Sequence, residues 1–354
     1  MTVPTPPFAH LVQLSDATGI LEHANGAVPR PDCGYCTDDV ARALVVVLRE
    51  PSPGPELRAL EEVYLRFLLG AQLPDGRFHN RLAAEPASRW LDDVGSDDAI
   101  GRALWALGVA ALLGRSARQR DDAFACFERG AGFHSRSPRA NAAAILGAVE
   151  VLRHEPAHSS ARALLERAAQ RLGKLAPSAR WPWPEPRLAY ENARLPEARM
   201  AAGVALRDST LFAEGLRLLD WLVDVETRGE VFSFTGQHGW ALGEPRPAFD
   251  QQPVEAGAMA DACARAFALT GEERWAKACT RAAEWFLGDN DVGIPLVDAQ
   301  TGGCADGLER CGRNANQGAE STLAMISAFQ HARTVQAAAS AASSGAASTV
   351  AAPT

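Results

Sequence analysis

Ser96-Asp97-Asp98-Ala99-Ile100-Gly101-Arg102-Ala103-Leu104-Trp105-Ala106-Leu107-Gly108 sets the pattern from which the fold is read. Two carboxylates at a polar start are followed by a body that is apolar on nearly every face. Such a helix is buried along its middle and carries its first turn to an accessible surface. The same succession recurs at Thr37-Asp38-Asp39 before Val40-Ala41-Arg42-Ala43-Leu44, and at Tyr190-Glu191-Asn192-Ala193-Arg194-Leu195-Pro196-Glu197. It returns at Phe249-Asp250-Gln251-Gln252-Pro253-Val254-Glu255 and at Asn316-Gln317-Gly318-Ala319-Glu320. Several such starts meeting at one mouth make a carboxylate-lined cavity.

Working outward, two kinds of helix alternate. Residues 39–48, 98–113, 140–152, 196–206, 253–269 and 317–331 are Ala- and Leu-rich nearly all round and read as inner helices. Residues 56–69, 117–129, 160–175, 209–225 and 273–286 are amphipathic, with Arg and Glu on one side, and read as outer helices. With residues 7–15 left to close the ring, the order predicts an all-α, single-domain (α/α)6 barrel of six inner and six outer helices. The barrel is expected over residues 1–333 and a disordered Ala/Ser-rich tail over 334–354. Strand signals are confined to loops, as at Glu230-Val231-Phe232-Ser233-Phe234. Connections before the inner helices are long and rich in Gly, Pro and aromatic residues, while those after them are short. This asymmetry puts the functional loops at the N-terminal ends of the inner helices.

With 354 residues and 47% hydrophobic content, the chain has ample material for one large core. A formal charge of −8 with no basic run excludes non-specific binding to nucleic acid or anionic membrane and points to a neutral substrate. Met1-Thr2-Val3-Pro4-Thr5-Pro6-Pro7 has no basic segment leading into an apolar one, and no window reaches a membrane-spanning length, so a cytoplasmic protein is expected. Seven scattered cysteines do not form a disulfide framework. Cys33-Gly34-Tyr35-Cys36 has the spacing of a metal knuckle, but Cys304 and Cys311 are wrongly spaced for a second. Neither a metal nor a cofactor is expected.

Tyr35, Phe78, Trp90, Trp181, Trp183, Tyr190, Phe234 and Trp240 all fall in loops that lead into inner helices. Aromatic faces together with Asp, Glu, Asn, Gln and Arg side chains are what a sugar site uses, although the same aromatics can simply pack loops onto a barrel. Glycoside hydrolysis requires one protonated and one ionised carboxyl flanking the scissile bond. A helix N-terminus favours the ionised form, and a like-charged neighbour raises one member of a pair; Asp38-Asp39, Asp92-Asp93 and Asp97-Asp98 supply such neighbours.

The expected catalytic set is Asp98, Glu255, Glu320 and Asp39. The expected substrate-binding set is His23, Tyr35, Asp38, Asp97, Trp181, Trp183, Glu191, Asn192, Arg194, His238, Trp240, Asp250, Gln251, Gln252, Asn316 and Gln317. For any single Asp, plain helix capping is the competing explanation. If Arg42, Arg102, Arg194 and Arg313 hold phosphate, the reaction becomes phosphorolysis. A 2-epimerase is the main chemical rival; against it, His23, His79, His134 and His238 lie in loops and none sits on an inner helix beside a carboxylate. A non-catalytic carbohydrate-binding module is the alternative from another class.

Ser15-Asp16-Ala17-Thr18-Gly19-Ile20, Gly34-Tyr35-Cys36-Thr37-Asp38-Asp39, Gly101 to Gly108, Trp181-Pro182-Trp183, Asn192-Ala193-Arg194-Leu195-Pro196, Phe249-Asp250-Gln251-Gln252-Pro253 and Asn316 to Leu323 together resemble a bacterial family. Its members occur alone or fused behind a GT-B-type glycosyltransferase. The resemblance spans about residues 8 to 333. It implies a glycosidase-like (α/α)6 barrel in bacterial carbohydrate metabolism, with a functional link to a glycosyltransferase. Asp97 stands where that family has Glu and Glu191 where it has Asp, each keeping a carboxylate, and Cys33 is outside the family pattern.

Overall fold

The computed structural model describes residues 3 to 348 apart from 85 and 177. Its helices are α1 Ala9–Leu14, α2 Thr37–Arg49, α3 Pro55–Ala71, α4 Asp97–Leu113, α5 Ala117–Gly130 and α6 Pro138–His154. They continue as α7 Ser159–Ala169, α8 Arg194–Leu206, α9 Ser209–Val225, α10 Pro253–Thr270, α11 Glu273–Phe286 and α12 Ala319–Ser348. The even-numbered helices form the inner ring: each packs on the next, and α12 returns to α2. The odd-numbered helices lie outside, with short α1 closing the ring against α12 and α3. The fold is an (α/α)6 barrel.

Periodicity explains which helix goes where. In α4 every residue from Ala99 to Ala111 is buried, and in α10 every residue from Pro253 to Ala264. By contrast, α11 buries Trp275, Ala278, Cys279, Ala282 and Phe286 on one stripe and turns its charges outward. Gly101, Gly108 and Gly147 let α4 and α6 approach closely: a Cβ on Gly108 would lie 2.2 Å from the Gly147 carbonyl oxygen, which no side chain tolerates.

Two boundaries differ from expectation. The outer helix expected to reach 175 ends at Ala169, ahead of Gly173 and Pro177. In place of a disordered tail from 334, α12 runs on to Ser348. Residues 334–348 are Ala-rich and proline-free, so helix propensity carries the helix on past Val335, which is still buried in the core. Residues 349–354 lie outside the described residues. The only strands among the described residues are five two-stranded antiparallel ladders in loops, one of them pairing Thr227–Arg228 with Val231–Phe232. No helix among the described residues is long and apolar enough to cross a membrane.

Connections after inner helices are brief, 114–116, 207–208 and 271–272 among them, whereas 72–96, 170–193, 226–252 and 287–318 all gather over the N-terminal mouth. The link before α6, 131–137, is the short exception.

Candidate functional site

Simple capping does not explain the acidic helix starts. The N-cap residues of α2, α8 and α10 are Cys36, Ala193 and Gln252, and none accepts a side-chain capping bond. In α4 the cap is Ser96, whose oxygen accepts from the Ala99 N–H, leaving Asp97 and Asp98 free for other partners. The carboxylates therefore face elsewhere.

They face one another across the mouth through arginines. Arg42 of α2 reaches Asp39 at 3.0 Å, Asp38 at 3.4 Å and Glu320 of α12 at 2.8 Å. Arg102 of α4 pairs through Nε with Asp38 and, at 2.5 Å, through Nη2 with Glu191. Arg194 of α8 pairs with Glu197 at 2.5 Å, Asp261 at 2.9 Å and Glu191 at 3.5 Å, its guanidinium 4.5 Å from the Trp105 ring centroid. Below them a void of about 30 Å³ lies between Trp105, Glu191, Arg194 and Asp261, enough for a water molecule. Charges thus alternate down the barrel axis.

Glu191 sits at the centre of this network, and its backbone takes a left-handed φ of 43°. That conformation costs a non-glycine residue free energy and persists only when its surroundings enforce it. Glu255 does so: its oxygens accept from the Glu191 N–H at 2.5 Å and from the Asn192 N–H and Nδ2 at 3.1 Å each. Burial, with Glu226 nearby, pushes the Glu255 carboxyl up to about 8, against the opposing pull of the Asn192 N–H. Burial acts to raise Glu191 as well, but Arg102, Arg42 and Arg194 outweigh it and hold that carboxyl below the ordinary range. Burial lifts Asp39 well above that range; Arg42 opposes the shift, while Asp38 and Glu320 reinforce it.

The accessible part of the mouth is formed by Asp98, Tyr190 and Glu320. Asp98 accepts from Ser137 Oγ at 3.0 Å and from the Tyr190 hydroxyl, and Tyr190 is 41% exposed. The side chain of Glu320 is 45% exposed. Asp97, beside Asp98, accepts from Ser135 Oγ at 2.5 Å. Arg139 was not foreseen. It opens α6, the inner helix without an acid in its first turn, and that missing acid was the available signal. Its guanidinium lies 4.7 Å from the Tyr190 ring centroid, binds both oxygens of Glu185 at 2.9 and 2.7 Å and donates to Asn192 Oδ1 at 3.1 Å. The cation fixes the Tyr190 loop over the mouth.

Of the expected site residues, Asp38, Asp39, Asp98, Glu191, Asn192, Arg194, Glu255 and Glu320 are brought to this network. Others are taken up by loop packing. Gln251 is fully buried: it accepts from the Phe234 N–H and Trp285 Nε1 and donates to Asp291. Gln252 is only the N-cap residue of α10. Trp181 and Trp183 are 7% and 1% exposed and pack on Trp221 of α9, Trp181 also against Trp240. Tyr35 is 3% exposed and donates to Asp16. Asn316 accepts from the Gly26 N–H, and Gln317 joins Thr301 to Asp298. His23, His238 and Asp250 lie in the loops, Asp250 exposed and bonded to Gln237. Long loops bury much of their own polar surface, and that requirement consumed these residues. Arg313 likewise spends its guanidinium on the carbonyls of Pro295 and Val297.

All seven cysteines are free. Glu22, Cys36 and Asp39 place a ligand atom each within 4.8 Å of one another. Glu22 is already paired with Arg81, however, and burial pushes the Cys36 thiol far from ionisation, so the trio is a poor donor set for a cation.

No protein-family model and no curated protein matches the sequence. Among solved structures, the chain resembles cellobiose 2-epimerase from Bacillus thermoamylovorans B4167, with a TM-score of 0.71 and 10% identity over 94% of this chain and 96% of that one. A sugar epimerase from a ruminal bacterium gives 0.70 and 11% over 94% and 95%. The cellulase Cel9M of C. cellulolyticum in complex with cellobiose gives 0.62 and 7% over 90% and 88%. At such identities the likeness is one of fold, and it spans the whole barrel.

Proposed function

We propose that the protein is a glycoside hydrolase-like enzyme acting on a short, neutral oligosaccharide at the N-terminal mouth. The observation that carries this reading is that acids at the starts of α2 and α4 and in the turn before α8 cap no helix of their own and converge there with Glu320 of α12, with Asp98, Tyr190 and Glu320 left accessible. Asp98, oriented by two hydroxyl donors, is placed to act as base or nucleophile, and Glu320, whose side chain is 45% exposed, as proton donor. Asp38, Asp39 and Glu191 hold the largely buried Arg42 and Arg102, which brace the mouth beneath the accessible acids. Glu255 positions the Glu191 turn. The net charge of −8 fits a neutral substrate.

A second reading, sugar 2-epimerisation or isomerisation, is favoured by the fold likeness to proteins described as a sugar epimerase, cellobiose 2-epimerase and D-mannose isomerase. One experiment separates the readings: incubate the chain with mannose-, glucose- and galactose-based disaccharides, with and without phosphate, and follow the products by NMR. Monosaccharide release supports hydrolysis, and release only with phosphate supports phosphorolysis. A new intact disaccharide supports epimerisation. Binding without any product would sink the enzyme reading and leave a carbohydrate-binding module that accompanies a glycosyltransferase.

A further inference from the structure

The other end of the barrel, where the inner helices finish, holds a cavity of about 1060 Å³. The turns there are too short to cover it. Its floor is polar and already neutralised: Glu197 is paired with Arg194 and Arg265, and Asp261 with Arg194, Ser327 and His331. Its third acid, Glu150, is bound by Arg153 at 2.6 Å. The walls are apolar. Leu113, Val204 and Leu269, at the ends of α4, α8 and α10, line the cavity while remaining 42%, 51% and 40% exposed.

Two cations at the rim are left over. Neither Arg162 nor Arg207 has an acidic partner among the described residues, although both line the cavity. Arg49 and Arg153 sit in the last turns of α2 and α6, where the helix dipole accounts for a base. Arg207, the C-cap of α8, falls under the same account, but Arg162 does not, since it lies in the first turn of α7, the positive end of its helix. On a chain of net charge −8, a pocket with five arginines against three acids, all three paired, is locally cationic. Its volume matches that of small-molecule sites, and its apolar walls exclude a purely hydrophilic ligand.

We propose that this cavity binds an amphipathic anion, its apolar body against Leu113, Val204 and Leu269 and its phosphate, sulfonate or carboxylate head between Arg162 and Arg207. The cavity opens at the other end from the N-terminal mouth, sharing with it the Arg194 ion pairs at its floor, and its test does not depend on sugar chemistry. The full chain is titrated with 8-anilinonaphthalene-1-sulfonate by fluorescence and with dodecyl phosphate below its micellar concentration by calorimetry. One site per chain is expected, with the sulfonate displaced by dodecyl phosphate. Arg162→Glu combined with Arg207→Glu, both exposed positions, should weaken binding at least about tenfold by opposing the charged head. Val204→Trp should block the cavity while leaving the melting curve in place. Dodecanol should bind at least about tenfold more weakly than the phosphate, since it lacks the charge. Equal affinity for dodecanol, or unchanged affinity in both variants, would overturn the proposal. So would binding to vesicles containing about a quarter anionic lipid without binding of the monomeric amphiphile, which would mark a membrane-docking face instead.

Discussion

The two mouths of this barrel are built from the same six helices and are opposite in character. At the N-terminal mouth the space between helix ends is filled by Arg42, Arg102 and Arg194 with their carboxylates, under loops as long as 287–318. At the C-terminal mouth, turns as short as 207–208 leave apolar walls and an open volume. Loop length accounts for much of the contrast: a long loop has the polar and aromatic groups to build up a mouth, and a two-residue turn does not. Charge placement follows the helix dipole, with acids at the N-terminal ends and bases such as Arg49 and Arg153 at the C-terminal ends. One mouth is therefore rigid, ionic and suited to orienting reacting groups; the other is suited to holding a ligand by shape.

The sharpest way to break this contrast is Arg102→Met. It leaves Asp38 and Glu191 without a principal partner, with Glu191 buried, and should cost about 3 to 5 kcal/mol in urea unfolding together with all turnover. A loss below about 1 kcal/mol would mean that the ionic network does not hold the mouth. Asp98→Asn tests chemistry rather than stability: turnover should fall by about 10² to 10⁴ while the melting temperature stays near that of the parent, because the amide keeps an acceptor for Tyr190 or Ser137. Unchanged turnover would remove Asp98 from the mechanism.

Protonation sharpens the contrast at the next scale. The folded state holds the Glu255 proton up to about 8, above the ordinary 4.5, so between those values the folded chain binds more protons than the unfolded one and stability falls as pH rises. The contribution is complete below 4.5 and is lost as pH passes about 8. Glu255→Gln, neutral throughout, should remove a slope of up to about 1.4 kcal/mol per pH unit, read from melts between about pH 5 and pH 9. Parallel slopes in parent and variant would show that Glu255 is ionised across the range. Glu191 has the opposite sign: its depressed pKa contributes stability above the ordinary carboxyl value that is lost as pH falls below it. The smallest effect belongs to the open mouth, where Leu269→Ser should change stability by no more than about 0.5 kcal/mol and leave turnover intact.

Legibility in the sequence differed between scaffold and site. Inner and outer helices were readable because burial on all faces or on one face writes itself into a 3.6-residue period, as in α4 against α11. The acidic starts were readable for the same local reason. Their partners were not: Asp98 and Gln251 are both polar residues in or near a helix start, yet one meets the Tyr190 hydroxyl at an accessible mouth and the other is sealed between Phe234 and Trp285. Trp181 and Trp183 carried the composition of a sugar platform and turned out to pack against Trp221.

The sequence by itself determined the twelve-helix order, the six buried helices, the side of the barrel that carries the long loops, and the placement of acids at one end, since each depends on neighbours within a turn or two of helix. Tertiary structure decided everything that joins distant segments. Glu255 meets Glu191 across 64 positions, Arg49 meets Ser327 across 278, and the unsealed cavity exists only because the ring closes. Hydrogen bonds and ion pairs act over a few ångströms of space and are blind to distance along the chain, so only the closed barrel could show which carboxylates orient one another and which remain free to act.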